Sequence, residues 1–257
     1  MTGIDVVRAD DIVARDDHPV DGHSVVGAAQ LRRVCPDDSS LWLVTGMLAD
    51  GTRLQLPAVH GDEAVYVTSG ALVVDGRDCP TNGAAIIEAG ASPTMIAVGD
   101  TSIVHVGPTD PVVPHDGLNG APEPGGHVHV VGPKGTYAAV EPGRDTHYYA
   151  DSTCPTCRIT LLYTSRSVEY VSAPHSHAVD ELIHVLWGEI RLGNVVVRPG
   201  DTLAIAADRR YGFRSGPGGF GFLNYRRDAS AQTIERGSEP RMEGGLVNGL
   251  VPVMDLR

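Results

Sequence analysis

Two histidines and a glutamate in the second half of the chain have the types and the spacing of metal ligands. His175 and His177 are two residues apart, so on a β-strand they would lie on the same face, because strand side chains alternate. Glu181 follows four residues later and can return to the same centre from the next strand. Two imidazoles and one carboxylate are the parts of a facial triad, which leaves metal positions open for water, substrate or dioxygen. The sequence therefore predicts a divalent metal held by these three side chains.

The composition favours a protein built from short strands. The 257 residues are enough for one large or two small domains with a sizeable core. The 31 glycines and 18 prolines are many for a helical protein, but they suit strands joined by tight turns. Apolar runs such as 41–47 and 182–187 recur between glycine, proline or aspartate. We predict an all-β protein with short helices at most, near the N-terminus and after residue 230.

The charge balance excludes several kinds of partner. The formal net charge is −12, with 32 acidic against 20 basic residues, and no basic run occurs. This argues against nucleic acid or an anionic membrane as a partner. The sequence has no apolar run long enough to span a bilayer, and its first residues lack the pattern of a signal peptide. We expect a cytoplasmic protein whose four cysteines stay reduced.

A segment rich in proline and glycine divides the chain. Residues 107–126 contain five prolines and five glycines, which cannot form a central strand. We predict an N-terminal domain at 1–107, a linker at 108–126 and a C-terminal domain at 127–257.

The two halves share a pattern. Glu63 and Gly70 have the same spacing as Glu181 and Gly188, each with an apolar strand between them and a turn expected at the glycine. Farther along, Ile87 can be aligned with Ile205. In the first half, Pro57 and Val59 stand where the second half has its two histidines. We expect a duplicated β-barrel whose N-terminal copy lacks metal ligands.

The second half resembles the cupin superfamily. The first cupin motif is HxH, a glutamate four residues later and a further glycine, and it is matched by His175, His177, Glu181 and Gly188, although no glycine stands six residues before the first histidine. The second motif is a proline–glycine turn leading to another histidine ligand; 199–201 match the turn, but Tyr211 stands at the ligand position. The resemblance covers 155–227 well and 40–106 as a degenerate copy. It implies a bicupin with two jelly-roll barrels.

Tyr211 has three open interpretations. As a neutral phenol, its hydroxyl could hydrogen-bond a metal-bound water or the substrate, which is the role we favour. As a phenolate it could ligate the metal, but its ordinary pKa near 10 then requires a Lewis-acidic ion. As a structural residue it could only cap the barrel.

The resemblance also implies a range of activities. Cupins of this kind include dioxygenases, isomerases, lyases and decarboxylases, and the fold does not select among them. Our first hypothesis is an oxygenase-like metalloenzyme that acts on a small organic substrate through one divalent transition metal, with iron preferred and manganese, nickel, copper or zinc possible. The alternatives are a redox-neutral isomerase or lyase, and a ligand-binding cupin without catalysis. The resemblance further implies a homodimer or a higher homo-oligomer.

Other histidines and cysteines have weaker signals. His184 lies three residues after Glu181, so strand alternation predicts that it faces away from the metal, toward packing or an interface. Cys154 and Cys157 form a CxxC pair, but a structural zinc site needs four ligands and the sequence has no second such pair. We interpret the pair as a turn into the following strand, and His127 and His129 beside the linker as surface residues.

Overall fold

The computed structural model describes residues 3–110, 126–138, 144–151, 154, 156–167, 169–227, 231–234, 241–242 and 251–252. Most of the predicted linker, 111–125, and most of the tail after 227 lie outside these described residues. Where the chain is described, its only helices are single 3-10 turns at Ala9–Asp11 and Pro133–Gly135. None of the described helices is long and apolar enough to cross a bilayer.

Strands make up the rest of the regular structure. The first ten are β1 (Ile4–Val7), β2 (Ser24–Val26), β3 (Ala29–Arg33), β4 (Leu41–Leu48), β5 (Arg53–Gln55), β6 (Glu63–Val74), β7 (Arg77–Pro80), β8 (Ala84–Ile87), β9 (Met95–Pro108) and β10 (Val128–Val131). The others are β11 (Tyr137–Ala138), β12 (Arg144–Ala150), β13 (Ile159–Arg166), β14 (Ser176–His177), β15 (Glu181–Leu192), β16 (Val195–Val197), β17 (Thr202–Ile205), β18 (Arg214–Arg227), β19 (Ala231–Thr233), β20 (Arg241–Met242) and β21 (Val251–Pro252).

The described strands form two nine-stranded antiparallel sheets and one small sheet. The first sheet has the order β10-β8-β6-β9-β4-β3, with β7 beside β6, β5 beside β9 and β2 beside β5. The second has the order β1-β17-β15-β18-β13-β12-β11-β21, with β16 beside β15, and the small sheet has the order β14-β19-β20. The two large sheets form two jelly-roll barrels, which confirms the predicted all-β architecture.

The two barrels exchange edge strands across the predicted domain boundaries. β1 pairs with β17 of the second sheet, so that Ile4 lies opposite Ile205. In return, β10 pairs with β8 of the first sheet, so that Val128 lies opposite Ile87. Sequence spacing could not show this exchange, because each strand lies on the far side of the boundary from its partner. The exchange ties the two halves together.

Register confirms the predicted alignment of the halves. Glu63 lies opposite Ile87 in the first sheet, and Glu181 lies opposite Ile205 in the second. Gly188 differs from expectation, because β15 continues through it instead of ending in a turn. Its φ is +69°, and a Cβ there would lie 2.2 Å from the carbonyl oxygen of Gly219. The glycine therefore allows a bulge at which the strand bends and stays paired.

The core follows the alternation of the strands. Along β15, Leu182 packs in a large cluster that joins the two barrels, whereas Ile183 and Val185 pack inside the second barrel. Glu181 shares their parity and therefore faces the barrel interior. The same alternation positions the candidate site.

Candidate functional site

The structure brings the four residues singled out from sequence into one pocket. His175, His177, Glu181 and Tyr211 are all buried and line a cavity of about 150 Å³ inside the second barrel. A backbone bridge fixes two of them: the His175 nitrogen donates to the Tyr211 carbonyl at 2.8 Å, and the Tyr211 nitrogen donates back at 2.9 Å. β14 carries His177, and Glu181 begins β15. The predicted convergence of separate strands is therefore present in the structure.

Glu181 is held by hydrogen bonds from two neighbouring segments. The Tyr211 hydroxyl donates to Glu181 Oε2 at 2.6 Å, and the Asn224 amide donates to Oε1. Asn224 lies on β18, opposite Ile183 of β15, and its side chain shares the pocket. Both contacts use a carboxylate oxygen as the acceptor. They fix the orientation of the carboxylate, with Oε1 3.6 Å from His177 Nε2.

His175 has the tautomer that a metal ligand needs. Its Nδ1 lies 2.8 Å from the Ala173 carbonyl oxygen, which can only accept, so Nδ1 carries the proton. Nε2 then keeps its lone pair. A carbonyl that fixes the ring in this way is the usual partner of a metal-bound histidine.

Arg226 is the component of the pocket that sequence reasoning missed. It lies on β18 opposite Glu181 and is 1% exposed. Its Nη1 lies 2.7 Å from His177 Nδ1, 3.0 Å from His177 Nε2 and 3.8 Å from Glu181 Oε1. The guanidinium thus lies beside two of the predicted ligands. Strand alternation could have identified it. Asn224 and Arg226 are two residues apart on β18, so their side chains lie on the same face of the strand.

The nitrogen and oxygen atoms of these side chains are of the types that bind a divalent metal. In this structure, however, they do not all surround one common position. His177 Nε2 lies 3.6 Å from Glu181 Oε1, a separation that a shared ion can bridge. Within the described part of the chain, however, the groups whose ligand atoms all lie within 4.8 Å of one another are two other clusters. In this structure the Arg226 guanidinium lies against both ring nitrogens of His177.

The pocket combines a polar end with an aromatic wall. Its described lining includes Thr146, Tyr148, Leu162, Thr164, Arg166, Tyr170, Ser172, His175, His177, Glu181, Ile183, Tyr211, Phe213, Phe220, Phe222, Asn224, Arg226 and Gln232. A cavity of about 150 Å³ accommodates a molecule of only a few heavy atoms. The positive charge at the polar end is that of Arg226, which lies 3.8 Å from Glu181 Oε1.

The first barrel contains a histidine cluster at the corresponding position. Glu63 accepts from His105 Nε2 at 2.8 Å and from His23 Nε2 at 3.0 Å, and the three side chains could hold a metal ion. His105 has the register of Asn224, since it lies opposite Val65 as Asn224 lies opposite Ile183. The expectation that this half lacks ligands rested on Pro57 and Val59. The two histidines come instead from a loop and from β9, which local spacing cannot reveal.

The side chains of the first-barrel cluster are as deeply buried as those of His177 and Glu181 in the pocket. The side chains of Glu63, His23 and His105 are each at most 4% exposed. Burial would raise the pKa of Glu63, but hydrogen bonds from His105 and His23 lower it to about 2. Burial lowers the pKa of His105 despite the hydrogen bond to Glu63, and burial with His105 and His23 nearby lowers the pKa of His18 to about 2. The side chains of the cluster hydrogen-bond to one another, so they do not need a substrate as a hydrogen-bond partner.

His184 lies outside the pocket, as alternation predicts. Its ring is 3% exposed, and Nδ1 lies 3.0 Å from Thr202 Oγ1. Burial lowers the pKa of His184 to about 4, and Asp201 opposes this only in part. The residue is therefore a neutral packing group at neutral pH.

We expect His184 to make the protein sensitive to acid. The unfolded chain protonates this ring near its ordinary pKa of 6.5 and the folded chain only near 4, so the unfolded state binds more protons between these values. The contribution to stability is complete above pH 6.5 and is lost as the pH falls to 4, by up to about 3 kcal/mol. In urea unfolding at pH 7 and pH 4.5, His184→Gln should reduce the difference between the two pH values. If the wild type and His184→Gln show the same difference in stability between the two pH values, this role is refuted.

Comparisons with known proteins agree on the fold. No protein-family profile and no curated protein sequence matches the chain. Among solved structures, a Pseudomonas aeruginosa protein designated glyoxylate-induced superimposes with a TM-score of 0.67 at 18% identity, covering 88% of each chain. The manganese(II)-containing oxalate decarboxylase of Bacillus subtilis gives a TM-score of 0.63 at 14% identity, covering 89% of this chain and 78% of its own. A Nostoc punctiforme protein designated a dioxygenase gives 0.64 at 11% identity, with coverages of 88% and 82%.

Identities this low establish the fold and leave the activity open. The topology, the pocket inside the second barrel and the structural neighbours agree with the motif found in the sequence. The chain has the fold of the cupin superfamily.

Proposed function

We propose that the protein is a metal-dependent cupin enzyme that acts on a small organic acid in the pocket of the second barrel. The observation that carries the proposal is the juxtaposition of Arg226 with His175, His177 and Glu181 in one pocket whose polar side chains are buried. The triad supplies nitrogen and oxygen ligands, and the arginine supplies a permanent positive charge for a carboxylate. Aromatic side chains on the other wall exclude water from the bound molecule.

In this proposal His175, His177 and Glu181 hold one divalent transition metal. Iron is preferred, and manganese, nickel, copper and zinc suit the same ligands. When bound, the metal supplies Lewis acidity or a site for dioxygen. Arg226 leaves His177 and pairs with the substrate carboxylate, which fixes the orientation of the organic acid in the cavity. The guanidinium cannot lose its proton in a protein, so its role is to bind and not to transfer protons.

Tyr211 is proposed as the residue that controls a proton in the pocket. Its hydroxyl donates to Glu181 at 2.6 Å and its ring lies 4.5 Å from the ring of His175. A phenol in this position can orient the Glu181 carboxylate or donate to a bound substrate oxygen.

Tyr211→Phe tests that role. The ring is retained, so metal content should stay nearly unchanged, whereas turnover should fall on the order of 10- to 100-fold because the hydroxyl is lost. Metal analysis and steady-state kinetics on the same preparation measure both quantities. Loss of the metal would show that the tyrosine is a ligand, and unchanged turnover would show that it only packs.

Oxygenase-like chemistry remains our first choice of reaction. It is supported by the open positions of a three-ligand site and by the fold shared with a protein designated a dioxygenase. The redox-neutral alternative, a decarboxylase, lyase or isomerase, is supported by the buried arginine and by the fold shared with an oxalate decarboxylase. A non-catalytic ligand-binding cupin is the third possibility.

A substrate screen separates these possibilities. Small oxo, hydroxy and dicarboxylic acids are supplied to the metal-loaded protein in air and without oxygen. An oxygenase consumes dioxygen with iron or copper bound, whereas a redox-neutral enzyme gives the same product without oxygen. Binding of an acid by calorimetry with no turnover under either condition would favour the ligand-binding protein. Failure to bind any small acid would contradict the proposal.

We also propose that the chain is a bicupin in which only the second barrel is catalytic, and that it forms at least a homodimer. The matching registers of Glu63 with Ile87 and of Glu181 with Ile205 support duplication. Exposed apolar side chains support association: Met47 is 57% exposed and Trp187 is 37% exposed on one groove between the sheets. Light scattering at micromolar concentration should give at least twice the chain mass of 27.1 kDa, and a monomeric mass would refute association.

A further inference from the structure

Four metal-ligating side chains meet at a place that is separate from the catalytic pocket. Glu88, His129, Cys154 and Cys157 each present one ligand atom, and these atoms all lie within 4.8 Å of one another. Glu88 follows β8, and His129 lies on β10, which pairs with β8. The two cysteines lie in the segment just before β13 of the second sheet. The CxxC and HxH pairs, each a weak signal in the sequence, therefore both contact the carboxylate of Glu88.

The contacts within this cluster place the ligand atoms around one centre. His129 Nε2 lies 2.9 Å from Glu88 Oε1, and Cys157 Sγ lies 3.6 Å from the same oxygen. The Cys157 backbone nitrogen donates to Cys154 Sγ at 3.2 Å, so the first sulfur is oriented as an acceptor. His127 Nδ1 lies 2.8 Å from Glu88 Oε2, which fixes the carboxylate from its other side.

We propose that Cys154, Cys157, His129 and Glu88 form a structural zinc site when the two cysteines are reduced. Two sulfurs, one imidazole nitrogen and one carboxylate oxygen are the four donors of a closed tetrahedral zinc site. In this structure the two sulfurs are joined as a disulfide, so the expectation that all four cysteines stay reduced is wrong for this pair. The zinc-binding form is the dithiol, which a thiol or phosphine reductant generates by supplying two electrons while solvent supplies two protons. On binding, both thiols lose their protons to solvent, and the zinc ion binds the two thiolates.

The position of the cluster gives the ion a structural role. Glu88 and His129 belong to the first sheet, whereas the cysteine segment leads into the second. Arg158 already links the segment to the first barrel, since its backbone nitrogen donates to Asp62 Oδ2 at 2.5 Å. A zinc ion held from both sides would fix the start of β13 against the edge strand β10. His129 is 38% exposed and Glu88 is 5% exposed, so an ion can enter from solvent and then be partly shielded.

Cobalt(II) reports this site without interference from the catalytic pocket, because only thiolate ligands give a sulfur-to-cobalt charge-transfer band in the near ultraviolet. The full chain is reduced with a phosphine, stripped of metal with a chelator and titrated with cobalt. The proposal predicts a thiolate band whose intensity at saturation corresponds to one cobalt ion bound through two sulfurs, and which zinc displaces. A reduced wild-type protein without such a band would overturn the proposal.

Three variants locate the ligands. Cys157→Ser should abolish the thiolate band or reduce it to that of one sulfur, whereas Cys35→Ser, at a buried cysteine in the first barrel, should leave it unchanged. Glu88→Gln should weaken zinc binding at least tenfold in competition with a chromophoric chelator, and it retains the size of the side chain. A full band in Cys157→Ser, or an unchanged zinc affinity in Glu88→Gln, would overturn the four-ligand site.

Discussion

Replacing Arg226 with methionine is expected to change metal binding and substrate binding in opposite directions. The guanidinium lies 2.7 Å from His177 Nδ1, so in the metal-free protein it competes with the metal for this ligand. Its removal should tighten metal binding. The same change removes the buried cation proposed to pair with the substrate carboxylate, which costs about 3 kcal/mol or more and raises KM at least about 100-fold. Metal titration and steady-state kinetics measure the two effects.

Arg227→Met is the matched control for this experiment. Arg227 is the next residue on β18 and is only partly buried, and alternation directs it away from the pocket. Its replacement should leave both metal affinity and KM close to those of the wild type. If Arg226→Met leaves KM unchanged, the arginine does not bind the substrate; if it weakens metal binding, the arginine supports the metal site instead of competing with it.

Replacing His177 with alanine is expected to abolish metal binding in the second barrel and with it all turnover. A three-ligand site that loses one imidazole keeps only His175 and Glu181, which cannot hold a divalent ion tightly. Elemental analysis of the purified variant should show one catalytic metal fewer per chain than in the wild type. Circular dichroism should remain that of a β-protein, because the edge strand β14 contributes only two residues to the fold.

His23→Ala is the control that separates the two barrels. His23 is hydrogen-bonded to Glu63 in the first barrel, and His23, Glu63 and His105 together could hold a metal ion. The proposal predicts that this variant keeps both its catalytic metal and its activity. Loss of activity in His23→Ala together with retention in His177→Ala would place the catalytic metal in the first barrel.

The fold, and the grouping of the candidate ligands in one pocket, could be predicted because both are encoded in local spacing. The whole first motif lies within 14 residues: His175, His177, the glutamate four residues later and the glycine in the middle of β15. The alignment of Ile87 with Ile205 also agrees with the structure, since β8 pairs with β6 and β17 pairs with β15 in the same register relative to Glu63 and Glu181. Strand alternation alone correctly predicted that the His184 side chain faces away from the pocket.

Contacts between distant segments could not be predicted in the same way. Arg226 meets His177 across 49 residues, and His105 meets Glu63 across 42. Glu88 contacts Cys157 across 69 residues, so a search for a second local motif could not find the ligands proposed to complete the CxxC pair. The exchange of β1 and β10 depends on how the two barrels pack against each other. The hydrophobic pattern within one barrel carries no information about that packing.

The most direct test of the central claim is anomalous X-ray diffraction from crystals of the protein loaded with iron or manganese, recorded at the absorption edge of the metal. The account predicts an anomalous peak within coordination distance of His175 Nε2, His177 and Glu181, with the Arg226 guanidinium displaced from His177. A peak between His23, Glu63 and His105, with the pocket of the second barrel still closed by Arg226, would contradict it.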